Sequence, residues 1–193
     1  MMFDAINRNV TRYHTFSTSE LQTLNNLLQP LNIKKKEFLL KAGEVCNFEA
    51  FINKGCVMTY MLNEEGKETV LYFSVENWWV SDICSFNERT PSEFYIQAME
   101  DSELLLLTPQ AKEDLLFKVP AFERVFRLMI QKNLSVMQNR LHSIIAYPAE
   151  KRYQDFLKRY PSIPQRVSQL HIASYLGVSP EFLSKIRAKK NQS

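Results

Sequence analysis

Residues 169–188 read QLHIASYLGVSPEFLSKIRA, two short helical patterns separated by one glycine. A helix-turn-helix needs a small residue where its helices cross, a turn that often holds Gly, and a shared apolar core. Ala173 is the small residue and Gly177 the turn glycine, while Ile172, Leu176, Val178, Leu183 and Ile186 take the apolar positions. Ser179 caps the second helix, Pro180 stands at its first position, and Glu181 lies in the first turn, where the helix dipole favours an acid. Such a second helix enters the DNA major groove with its N-terminal half at base edges. Glu181, Ser184 and Lys185 would then face bases, Glu181 accepting from cytosine N4 and Lys185 donating to guanine O6 and N7. Arg187, Lys189 and Lys190 suit phosphates, joined by Arg166 from the preceding turn.

The charge distribution agrees with that placement. Residues 146–193 hold nine Lys and Arg against three acids, a balance of +6, and leave −3 on the rest of the chain. An acidic body with a basic end points to a polyanion partner at that end.

Moving toward the N-terminus, Pro148 opens a helix with Ala149, Tyr153, Phe156, Leu157 and Tyr160 on one face, which Pro161 to Pro164 break. Before it, Pro120 opens a helix running to about Ile145. Phe126, Ile130, Leu134, Met137, Leu141 and Ile144 form one apolar stripe, and Phe122, Val125, Met129 and Val136 a second. One stripe covers the preceding domain. The other, the Phe126 to Ile144 stripe, calls for a partner helix in a dimer, or for cover within the same chain. Thr108-Pro109 starts the helical half.

Residues 33–107 read as β. Short apolar segments at 38–40, 48–52, 57–62, 69–73, 94–98 and 103–107 are separated by turn signals at Gly43, Gly55 and Gly66. That spacing predicts a sandwich or barrel-like roll. The stretch Glu76 to Pro91 fits neither period and predicts a loop holding a short helix. Upstream, Ser17 and Glu20 form a capping box before Leu21, Leu24, Leu27 and Leu28.

The 193 residues, 45% hydrophobic and 23% charged, suit one large or two small ordered domains rather than a disordered chain. No apolar run approaches the roughly 20 residues that span a bilayer, and no signal peptide precedes the first helix, so a cytoplasmic protein without membrane contact is expected. Cys46, Cys56 and Cys84 have no metal-ligand or disulfide spacing. No catalytic triad, phosphate loop or metal motif is present, which argues against an enzyme.

On these residues the chain resembles the Crp/Fnr superfamily of bacterial transcription regulators over nearly its whole length. The Gly43 and Gly55 turns, the 120–145 helix and the Ala173 to Arg187 motif carry the resemblance, the last most specifically. It implies an α+β fold: a double-stranded β-helix (jelly-roll-like) sensor domain over 1–119, a dimerisation helix over 120–146, and a winged-type helix-turn-helix domain over 147–193 with its wing truncated. It implies double-stranded DNA and a second copy of the chain as partners, with RNA polymerase as a further one. Family members often read DNA with an Arg-Glu pair and a later Arg. The matching positions are Pro180, Glu181 and Lys185, so the operator should differ. Cyclic-nucleotide binders carry a Gly-Glu pair and, about ten residues on, a phosphate-binding Arg. Ser81-Asp82 and Ser92 stand there, with Glu93 adjacent, so no cyclic AMP or GMP binding is expected. Residues 1–45 lack the cysteine cluster of the oxygen-sensing branch, and no cofactor is expected. Trp78, Trp79, Ser81, Asp82, Ser85, Phe86, Ser92 and Glu93 outline a pocket for an unidentified small effector, the tryptophans either stacking on a flat ligand or filling core space. A small-molecule or protein-interaction module with a vestigial DNA-binding end is the competing reading.

Overall fold

The computed structural model describes residues 2–190. Two N-terminal helices, α1 (Asp4–Thr11) and α2 (Thr18–Leu27), lead into eight strands. These are β1 (Gln29–Ile33), β2 (Phe38–Leu40), β3 (Glu49–Lys54), β4 (Val57–Leu62), β5 (Glu68–Ser74), β6 (Trp79–Val80), β7 (Tyr95–Ala98) and β8 (Ser102–Leu107), with α3 (Ile83–Glu88) between β6 and β7. Six helices follow: α4 (Pro109–Lys118), α5 (Ala121–Ala146), α6 (Ala149–Arg159), α7 (Ile163–Arg166), α8 (Gln169–Leu176) and α9 (Pro180–Lys190).

The strands form two four-stranded antiparallel sheets, ordered β1-β8-β3-β6 and β2-β7-β4-β5. Ala50, Ile52, Val57, Ile96 and Leu104 pack in the core of the sandwich. The neighbours that alternate with them point outward, as the period of two requires. From the first sheet, Phe51, Leu105 and Leu107 pack against α1, α2, α4 and the start of α5. From the second, Met58, Tyr60 and Phe73 pack against α6, α7, α8 and α9. Helices therefore cover both sheets. The unbroken Leu104 to Leu107 run is the sequence of a strand covered on both faces.

The capping box at Ser17 is formed, the Ser17 amide donating to Glu20 Oε2 at 2.7 Å. Four elements depart from the sequence expectation, one of them the short α7, which forms where Pro161 to Pro164 are expected only to break a helix. Helix α1 precedes the first helix that the sequence pattern predicts, and Ile6 and Val10 are buried on its inner face. Strand β1 contains Pro30, which was expected only to end a helix; β1 is an edge strand, where a missing N–H is tolerated. Strand β6 is two residues long, too short to show a period, and lies in the stretch read as a loop with a helix.

Candidate nucleic-acid interface

The helix-turn-helix is complete. Ser168 caps α8, its hydroxyl accepting from the His171 amide at 3.3 Å. Gly177 has φ +66°, and its amide donates to Ser174 O at 3.1 Å; this is the left-handed cap that lets α8 end abruptly. Val178 N–H returns to Ala173 O at 3.0 Å, and Ser179 Oγ accepts from Phe182 N at 3.2 Å to start α9. Ala173, Leu176, Leu183 and Ile186 are buried where the helices cross.

On the outer side of α9, Glu181, Ser184, Lys185 and Arg187 are exposed together. Glu181 bonds to its own amide and to Ser179, which holds its carboxyl below the ordinary value and keeps it an acceptor. Phe182 is also exposed, at 42%. Its exposure is not legible in the sequence, because the apolar spacing that marks core positions carries no sign for a surface aromatic. The side chains of Lys189 and Lys190, assigned to phosphates, lie outside the described residues. Among the described residues no strand follows β8.

Arg166 requires a correction. It was expected at a DNA phosphate, but its guanidinium is 15% exposed and held by two carboxylates. It makes bonds of 2.9 and 2.8 Å to Glu76 and 2.5 Å to Glu100. Those acids come from the roll and are far from Arg166 in sequence, so their approach was invisible there.

The outlined effector pocket does not assemble either. Asp82 is buried as the N-cap of α3, accepting from Cys84 N at 3.1 Å and Ser85 N at 3.2 Å on one oxygen and from Ser92 Oγ at 2.7 Å on the other. Ser85 Oγ donates to Thr90 O and accepts from Cys46 N, and Ser81 Oγ donates to Phe48 O. Phe86 belongs to the sandwich core, and Glu93 is exposed. These groups satisfy one another. The tryptophans are elsewhere: Trp79 packs edge-on to Phe51 and Phe126, and Trp78 lies beside Tyr160. Both line a small cavity of about 200 Å³ between α1 and α5.

The long helix divides. Phe122, Val125 and Phe126 are buried against the first sheet's helical cover. Phe126, expected at a partner, is 7% exposed with the Lys112 ammonium 4.6 Å from its ring centre, so it leaves the dimer set. Ile130, Leu134, Met137, Leu141 and Ile144 are 44–60% exposed, joined by Ile145 at 76%.

Residues 30–118 match the cyclic nucleotide-binding domain family. The chain is similar to an anaerobic regulatory protein of Pasteurella multocida, 24% identical over 184 residues that cover 89% of this chain and 67% of the relative. Among solved structures it is similar to FixK2 of Bradyrhizobium japonicum, with TM-score 0.75, 16% identity and coverage of 86% and 85%. It is similar too to the c-di-GMP-responsive regulator CLP of Xanthomonas campestris, with TM-score 0.73, 14% identity and coverage of 91% and 92%. No described helix is long and apolar enough to cross a membrane. With a cyclic nucleotide-binding-type roll, a long helix and a helix-turn-helix in that order, the chain is similar over most of its length to regulators of the Crp/Fnr superfamily.

Proposed function

We propose that the protein is a sequence-specific DNA-binding transcription regulator that acts as a homodimer on a pseudo-palindromic operator and does not respond to cyclic AMP. The observation that carries this reading is the exposed face of α9, where Glu181, Ser184, Lys185 and Arg187 stand on a fully packed helix-turn-helix. Glu181 and Lys185 read base edges, and Arg187, with Lys189 and Lys190 further along, engages phosphates. Phe182 offers an apolar contact for a thymine methyl. The exposed apolar stripe of α5 supports the second copy, because five large apolar side chains at heptad-like spacing form a seam that a like helix covers. Two α9 helices related by that two-fold would reach half-sites about one helical turn apart. The absence of a cyclic-nucleotide response rests on Asp82 and Ser92, which are bonded to each other where a ribose and a phosphate would need them.

The test is selection of bound sequences from random duplex DNA by the purified protein, with a salt series alongside. The expected result is one palindromic motif, with affinity falling steeply as salt rises through counterion release. Arg187→Gln should lower the salt slope by about 1, while Lys185→Gln should relax one base position at a cost of about 1–3 kcal/mol. Motif-free binding indifferent to salt would sink the proposal.

A further inference from the structure

Another cavity, of about 500 Å³, lies where the C-terminal half of α5 meets α6 and α8. We propose that it binds a small organic anion, a carboxylate or phosphate ester carrying an aromatic or alkyl body. The inference uses none of the residues proposed to read DNA, and it shares only Ile144 with the exposed stripe of α5. The volume is in the range of ligand sites. The walls combine apolar surface from Ile144, Phe156 and Tyr175 with the cations Arg140, Arg152, Lys158 and Arg159, against one acid, Asp155.

The arginines are fixed by the fold yet lack counter-charge. Arg140 donates to Val70 O and Tyr175 O, both at 3.3 Å, and its guanidinium lies over the Tyr175 ring at 4.3 Å. Burial holds it below the ordinary arginine value. Arg152 donates to Ile144 O at 3.2 Å, and Arg159 rests against the Trp78 and Tyr160 rings at 5.3 and 5.4 Å. Carbonyls and ring faces orient these groups without neutralising them. Among the described residues no ion pair engages any of the three. The Nε atoms of Arg152 and Arg159 are buried without any hydrogen-bond partner. A half-buried cation without a counter-charge carries a desolvation cost, and three around one cavity are accounted for when an anion fills it. A carboxylate or phosphate accepts from guanidinium forks, and an apolar body then lies on Phe156 and Tyr175. An occupant touches α5 and α8 together, so it biases how the reading helices are held relative to the long helix.

The test is calorimetric titration of the full chain with phenyl phosphate, with phenol and inorganic phosphate as controls. Saturable 1:1 binding is expected, with both controls weaker by about ten-fold or more, since each lacks one of the two contact types. Arg152→Gln and Arg159→Gln, two separate variants in case one fails to fold, should each weaken phenyl phosphate by about ten-fold, and Lys185→Gln on α9 should leave it unchanged. No saturable binding, affinity unchanged from the parent chain in both arginine variants, or loss in Lys185→Gln would overturn the site. So would binding that requires a monomeric variant such as Leu134→Glu, because a second copy would then already fill the cavity.

Discussion

At the residue scale, two glycines with positive φ show how packing separates similar backbones. Gly55 has φ +107°, and a Cβ there would overlap the Ser102 side chain; Gly177 has φ +66° with open space around it. Gly55→Ala should destabilise by about 3 kcal/mol or more, from strain and overlap together, and Gly177→Ala by only about 1–2 kcal/mol. Denaturant titration of the two variants decides this, and equal losses would contradict it. Arg166 is the other decisive residue. Burial raises the Glu76 carboxyl, but bonds from Arg166 and the Gly55 amide outweigh it and hold the group below its ordinary 4.5. A carboxyl depressed by folding contributes stability that is present above pH 4.5 and lost as pH falls through the folded value. The melting temperature should therefore drop less steeply in acid for Glu76→Gln than for the parent chain. Arg166→Gln should cost about 1–2 kcal/mol at neutral pH, below the figure for a buried pair because both carboxylates reach solvent. Cys56 is inert by contrast, its thiol pushed up to about 12 by burial.

At the element scale, α5 carries two roles on successive stretches of one helix. Phe126→Ala should destabilise the fold by about 3–4 kcal/mol through a core cavity. Leu134→Glu or Leu141→Glu should leave the thermal melt of the monomer nearly unchanged, while sedimentation shows the dimer lost and DNA affinity falls with it. A destabilised but still dimeric Leu141→Glu chain would reassign the stripe. The sequence showed both stripes of α5 but misplaced Phe126, because its 4-4-3-4-3 spacing continues smoothly from the exposed stripe into the core. Only the position of the first sheet's cover ends the exposed stripe there. Strand β5 is an edge strand whose backbone is closed by side chains from distant helices: Ser174 Oγ accepts from Val70 N at 2.9 Å and donates to Glu68 O at 2.7 Å. Ser174→Ala leaves that amide without a partner and should cost about 1–2 kcal/mol in denaturant unfolding.

At the scale of the whole molecule, the helix-turn-helix shares its core with the roll. Met58, Tyr60 and Phe73 on one side and Phe156, Ile172, Leu176 and Leu183 on the other form a single cluster, and Arg166 and the His171–Glu68 contact at 3.2 Å flank it. A chain cut before α6 would expose this apolar sheet face. It should aggregate or melt well below the full chain in a light-scattering thermal ramp, and a soluble, cooperative roll fragment would show that the two halves are independent. The local signals were legible in order along the chain. The capping box, the turn glycines, the alternation of the strands and the filled core positions of the helix-turn-helix each depend on neighbours a few residues away, and periodicity and backbone chemistry report those directly. The outward face of α9 followed from the same spacing. What lay beyond the sequence depends on charges and surfaces brought together from far apart: Arg166 against Glu76 and Glu100, the mutual bonding of Asp82 and Ser92, the docking of α8 on β5, and the uncompensated arginines around one cavity. Those pairings are set by how two sheets and two helical layers stack, a long-range packing choice that no local pattern encodes.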